Sequence, residues 1–180
     1  MRILKEETIA IVIDVQEKLL PHIHDNERIL NNSVILLEGL KVLDVPLLVS
    51  EQYRKGLGPT VEEIQHSFPS FQPMEKMTFS CCDDQDIMSI LKEKGRKNVI
   101  LLGIETHVCV LQTVLDLIEN GFQPVVIEDC TSSRKPSDKE IAIKRMRQEG
   151  AIVSSYESIL FELARVSGTE TFKSISRLVK

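Results

Sequence analysis

The sequence predicts an α/β protein: a three-layer α/β/α, Rossmann-like fold around a mostly parallel sheet of roughly six strands. Short apolar runs rich in β-branched residues alternate with amphipathic stretches from end to end. Several of those runs are apolar throughout rather than at every second position, which is the pattern of strands buried on both faces. The connections are short, with no repeat, low-complexity tract or linker. Alternating βαβα of this kind implies a parallel sheet covered by helices on both sides. The 180 residues are expected to form one domain, 1–180, long enough to close a core.

Thr8-Ile9-Ala10-Ile11-Val12-Ile13 reads as the first strand and stops at Asp14. From Glu27 to Leu43, apolar residues at Leu30, Val34, Leu37, Leu40 and Leu43 recur every three to four positions, which predicts a helix. The second strand is Val45 to Val49, ending at Ser50-Glu51. Residues 51–73 are irregular, broken by Gly56, Gly58, Pro59, Pro69 and Pro73, with a short helix suggested by the capping-box spacing of Thr60 and Glu63. A brief extended piece from Pro73 to Thr78 precedes a helix from Asp84 to Lys94, with Gly95 as its C-cap.

Asn98 to Gly103 is the clearest buried strand, and it runs through Ile104-Glu105-Thr106 into a helix from about His107 to Asn120. Pro124 to Glu128 is the next strand. Ser137 with Glu140 opens a helix to about Glu149, Ala151 to Val153 is a short last strand, and Ser154 with Glu157 caps a helix reaching Arg165. A C-terminal amphipathic helix follows Gly168.

Composition narrows the function. With 42% apolar and 27% charged residues the chain is globular, and no apolar run approaches the roughly 20 residues a bilayer needs. The segment Met1 to Glu7 acquires acidic residues early and does not read as a secretory signal, so a cytoplasmic, reducing location is expected, with no membrane partner. The net charge of −5 and the absence of Trp give no support to a nucleic-acid partner. Cysteines at 81, 82, 109 and 130 are expected to be thiols, and their spacing matches no zinc pattern. His22 and His24 lack a third ligand and read as solvated or capping residues. No metal and no cofactor are expected.

Parallel sheets place functional residues just beyond the carboxyl ends of their strands. That rule selects Asp14, the stretch after Val49, Lys76 and the turn from Gly103 to Cys109. Dinucleotide binding finds no glycine fingerprint after the first strand, which reads Asp14-Val15-Gln16-Glu17-Lys18, and a phosphate-binding loop is absent. Cys109, at a helix start, reads either as a small buried side chain or as a nucleophile. A helix N-terminus favours thiolate and supplies N–H groups for an oxyanion. Asp14 reads either as a loop or capping residue or as the base that takes the thiol proton. Lys76 reads either as one more solvated lysine or as a cation that lowers the pKa of a nearby thiol.

Asp14-Val15-Gln16, Lys76-Met77-Thr78-Phe79-Ser80 and Gly103-Ile104-Glu105-Thr106-His107-Val108-Cys109-Val110 together resemble the signatures of the isochorismatase-like cysteine hydrolases. Ser50-Glu51-Gln52-Tyr53, Lys55-Gly56-Leu57-Gly58-Pro59 and Asp129-Cys130-Thr131-Ser132-Ser133-Arg134 are similar to the subgroup of isochorismatase domain-containing proteins. The resemblance implies that Cys109 is the nucleophile, Asp14 the general acid/base and Lys76 the cation poising both. It also implies a cis peptide between Ile104 and Glu105, which turns the N–H of Glu105 toward that of Cys109 as an oxyanion hole.

Isochorismatases proper lack the cysteine, so Cys109 implies thiol chemistry on an acyl or carbamoyl carbon. Nicotinamidases hold a metal through an Asp-x-His pair where this chain has Glu51-Gln52-Tyr53, so no metal pocket is implied. The expectation is hydrolysis of a C–N bond of amide, urea or carbamoyl type in a small molecule, through a covalent acyl-enzyme. Gln16, Tyr53 and Phe79 are expected to line the pocket, and a homo-oligomer is expected from the relatives. The competing readings are a non-catalytic binding or scaffolding protein of the same fold and a redox thiol module.

Overall fold

The computed structural model describes residues 2–180. Its six strands are β1 (Thr8–Ile13), β2 (Leu47–Gln52), β3 (Met74–Lys76), β4 (Asn98–Ile104), β5 (Gln123–Ser132) and β6 (Ile152–Ser154). Its helices are α1 (Asn26–Val42), α2 (Arg54–Leu57), α3 (Glu62–His66), α4 (Gln85–Lys94), α5 (Leu111–Glu119), α6 (Pro136–Gln148), α7 (Tyr156–Ala164) and α8 (Glu170–Leu178). All strand pairs are parallel and the order is β3-β2-β1-β4-β5-β6. The chain begins at the centre, steps outward to β3, then crosses back to place β4 on the other side of β1. This reversal makes the carboxyl ends of β1 and β4 the switch point, the place where doubly wound sheets bind ligands.

The strand pattern explains the layers. All six residues of β1 are buried, and successive side chains point to opposite faces. Ile9, Ile11 and Ile13 pack with Ile87 and Leu91 of α4, Val114 and Leu117 of α5, and Ile143 and Met146 of α6. Ala10 and Val12 pack with Leu36, Leu37 and Leu40 of α1, Ile159 and Leu163 of α7, and Ile175 of α8. The apolar runs are thus shared between two cores, as expected for a sheet covered on both sides.

The sequence expectations differ from the structure mainly at polar residues near element ends. β2 extends to Gln52, because Ser50, Glu51 and Gln52 pair in register with Met74, Glu75 and Lys76. Thr60 does not cap α3. Its hydroxyl donates to the buried carboxylate of Glu51 at 2.8 Å, and Val61 occupies the cap position. Ser137 lies inside α6, which opens with Pro136 at its first position, where a missing N–H costs no helical bond. Ser155 rather than Ser154 caps α7, accepting from the N–H of Ser158. Asp84 and Gly95 bound α4, with Gly95 in the left-handed conformation at φ 59°.

Candidate active site

β1 delivers Asp14 to this switch point. Its φ of 54° lies in the left-handed region, which Asp tolerates better than most non-glycine residues, and this turns the chain as the strand ends. The carboxylate is fully buried. On the neighbouring strand, the backbone N–H of Asp14 donates to the Ser50 carbonyl at 3.2 Å. The Ser50 hydroxyl in turn donates to Asp14 Oδ1 at 2.8 Å.

The β2–β3 register sets Lys76 directly beside Gln52. Lys76 Nζ donates to Asp14 Oδ2 at 2.7 Å and to Gln52 Oε1 at 2.8 Å. The carbonyls of Phe79 and Thr78 stand 3.1 and 3.2 Å from the same nitrogen. Four acceptors therefore surround three N–H groups, and the side chain is only 1% exposed. Burial on its own would lower the ammonium pKa. The negative charge of Asp14 outweighs that and holds it above its ordinary value.

β4 brings Cys109 to the same place. At Gly103, φ is 124°, and an added Cβ would lie 2.1 Å from the Ile13 carbonyl oxygen, so only glycine lets β4 pass β1 this closely. The Ile104–Glu105 bond that follows is cis. A π-helical turn, Thr106–Val110, then leads into α5, where the sequence suggested one continuous helix from His107. Cys109 is 6% exposed and lies within electrostatic reach of Asp14 and Lys76. Burial and the Asp14 carboxylate push its thiol well up, and Lys76 offsets only part of this. The resting sulfur therefore keeps its proton. The sequence reading favoured a thiolate, but Cys109 sits four residues into the π turn rather than at its first position, and desolvation outweighs the cation.

The strand-end rule reached the stretch after Val49, and Cys81 was expected only to line the active-site side; the bonds these residues and Thr113 make were not foreseen. Cys81, Asp14 and Lys76 stand together, because the Cys81 thiol, fully buried, donates to the Ser50 hydroxyl at 3.7 Å behind Asp14. Thr113 ties Cys81 to the turn that carries Cys109: its hydroxyl accepts from Cys81 N–H at 3.0 Å and donates to the Cys109 carbonyl at 2.7 Å. The one available signal was the polar Ser50 and Gln52 at alternate positions of a strand end. Their importance depends on pairing with β3, which the irregular loop conceals.

Gln16 is fully buried, and its amide is committed to the backbone: Nε2 donates to the carbonyls of Gln52 and Gly58, and Oε1 accepts from Gln52 N–H. It fastens the loop to the end of β2. Tyr53 and Phe79 are 44% and 55% exposed, and with Met77 at 68% they form an apolar rim on the loops beside Lys76. Glu51 is occupied by the N–H and hydroxyl of Thr60 and by Arg54. His24 makes backbone bonds to the Ser132–Ser133 segment, and His22 ends a short turn. A cavity of about 230 Å³ bordered by His24, Arg28, Lys139 and Ile143 lies apart from Asp14, Lys76 and Cys109.

The isochorismatase domain pattern matches residues 8–158, from the first residue of β1 into α7. The chain belongs to the isochorismatase family. The mouse isochorismatase domain-containing protein 2A is 39% identical over 99% of this chain and 85% of its own length. The MAR1 ribonuclease of Caenorhabditis elegans superposes with a TM-score of 0.93 at 37% identity, covering 99% of this chain and 92% of that one. The YcaC gene product of Escherichia coli, described as an octameric hydrolase of unknown specificity, superposes with a TM-score of 0.93 at 26% identity, covering 99% of this chain and 89% of that one. The fold, with its six parallel strands flanked by helices, is that of the family.

Proposed function

We propose that this protein is a cysteine hydrolase that cleaves a C–N bond of amide, urea or carbamoyl type in a small molecule. The observation carrying the reading is the fully buried Asp14–Lys76 ion pair, 2.7 Å apart, with the Cys109 thiol inside its field. A buried pair of this kind is a costly arrangement for stability alone. Beside a protonated thiol it supplies an acceptor for the sulfur proton and a cation that keeps that acceptor ionised until it is used.

The proposed chemistry follows from that protonation state. As Cys109 sulfur bonds to the substrate carbonyl carbon, its proton passes to Asp14. The oxyanion is held by the backbone N–H groups of Glu105 and Cys109. Collapse breaks the C–N bond, and the departing amine takes the proton from Asp14. Water then attacks the thioester with Asp14 as base, and release of the acid returns the proton to sulfur. No step draws on a cofactor. Tyr53 and Phe79, on the exposed rim, contact the substrate, and the protein assembles as a homo-oligomer, as the octameric relative does.

Intact-mass detection of an acyl-enzyme across a panel of small amides, ureas and carbamates tests the reading. RNA belongs in the same panel, because a relative bears the name ribonuclease. An adduct present in the parent and absent from Cys109→Ala supports the proposal. Equal labelling of both proteins, mapped to Cys81 or Cys82, overturns it.

A further inference from the structure

We infer that Cys81 and Ser50 form a buried relay that fixes the Asp14 carboxylate from behind, making them positioning residues for the reaction. The inference rests on the catalytic reading above and extends it to a second cysteine that the chemistry does not consume.

The direction of each bond follows from what each group can do. An ionised carboxylate only accepts, so the Ser50 hydroxyl must spend its single proton on Asp14 Oδ1, 2.8 Å away. The remaining lone pairs of that hydroxyl face Cys81, whose thiol is 3.7 Å away and must be the donor. Burial and the Asp14 charge raise the Cys81 thiol to about 11, so it retains the proton it donates. Oδ2 of Asp14 is occupied by Lys76. With both oxygens engaged, the carboxylate cannot rotate, and its orientation toward Cys109 is set before substrate arrives.

The relay also closes on the nucleophile. The Cys81 backbone N–H donates to Thr113, and the Thr113 hydroxyl donates to the Cys109 carbonyl. A continuous path of bonds thus runs from the Cys109 turn through Thr113, Cys81 and Ser50 to Asp14. Asp14, Ser50 and Cys81 are each 0% exposed, so bulk water does not compete for these bonds. Cys81 is also unsuited to be the nucleophile itself, since no solvent reaches its sulfur.

Acylation by 4-nitrophenyl acetate provides the test. In that step a bond forms from Cys109 sulfur to the acetyl carbon, the ester C–O bond breaks, nitrophenolate leaves, and the thiol proton passes to Asp14. The burst rate of nitrophenolate is measured for the parent, Ser50→Ala, Ser50→Thr, Cys81→Ala and Cys81→Ser, each with its thermal midpoint. Ser50→Ala and Cys81→Ala are expected to slow the burst at least about tenfold, as misplaced catalytic groups do. Ser50→Thr and Cys81→Ser, which keep the donor, return most of that rate.

Alanine variants that acylate as fast as the parent overturn the relay. So do donor-retaining variants of parent-like thermal midpoint that are as slow as the alanine variants. Should Ser50→Thr unfold because of its added methyl group, the Cys81 pair decides alone. A parent without any burst that Cys109→Ala removes overturns the catalytic reading, and the relay with it.

Discussion

Lys76 and Asp14 are 62 residues apart in the chain, yet their charged atoms meet at 2.7 Å with both side chains fully buried. The pair exists because β1 and β3 both flank β2: Asp14 leaves the end of one neighbour, Lys76 ends the other, and the β2 register brings them within one residue of level. Removing one partner of such a pair leaves an uncompensated buried charge.

Lys76→Met is therefore expected to lower the unfolding free energy by about 3–5 kcal/mol. Adding Asp14→Asn to it recovers part of the loss, because the second change removes the orphaned charge. Urea unfolding of the two single variants and the double variant measures this coupling. A double variant whose loss equals the sum of the single losses would show that the two groups do not interact.

Gly103→Ala places a methyl group against the Ile13 backbone and forces alanine to a φ of 124°. The expected cost is at least about 3 kcal/mol, with loss of the proposed Cys109 acylation because β4 leads into the turn that carries Cys109. Gly95→Ala is the control: its φ is 59°, and nothing lies within 4 Å of the added carbon. It should cost only about 1–2 kcal/mol, the penalty of the left-handed conformation. Similar denaturation midpoints for the two variants would contradict the close approach of β4 to β1.

Alkaline pH should destabilise the fold through its thiols. Cys81 is raised from 9.0 to about 11 and Cys82 from 9.0 to about 12, chiefly by burial, and Cys109 and Cys130 shift the same way. A group whose pKa is raised on folding contributes stability that is complete below its unfolded value and drains away as pH rises toward the folded one. The loss therefore begins near pH 9, with a slope of about 1.4 kcal/mol per pH unit for each thiol. Lys76, also raised, adds its loss only above 10.5. Urea unfolding from neutral pH to about pH 10 follows this slope, and Cys82→Ala should reduce it by one thiol's share. An unchanged slope in that variant counts against the burial of Cys82.

The sheet was legible in the sequence because its signal is local. Runs such as Thr8–Ile13 and Asn98–Ile104 are buried on both faces and advertise it residue by residue. The positions of Asp14 and Lys76 followed from strand-end reasoning, and the cis bond before the Cys109 turn followed from resemblance to the family. Ser50 and Gln52 fell in the strand-end stretch selected from the sequence and Cys81 was expected to line the active-site side, but the bonds they make were not legible, because these depend on which strand lies beside β2. The capping-box pairs at 60, 137 and 154 each misplaced the cap. A spacing of three predicts a cap only when the side chain has no better partner, and Thr60 has Glu51.

The π turn and the strand ends that carry sulfur, carboxylate and ammonium are anchored in the two cores, while Tyr53, Met77 and Phe79 sit on exposed loop segments around them. On the proposed reading, reactivity and selectivity are built from separable parts of the chain. On that reading, substitutions in the rim change which molecules are accepted and leave the buried groups beneath it in place.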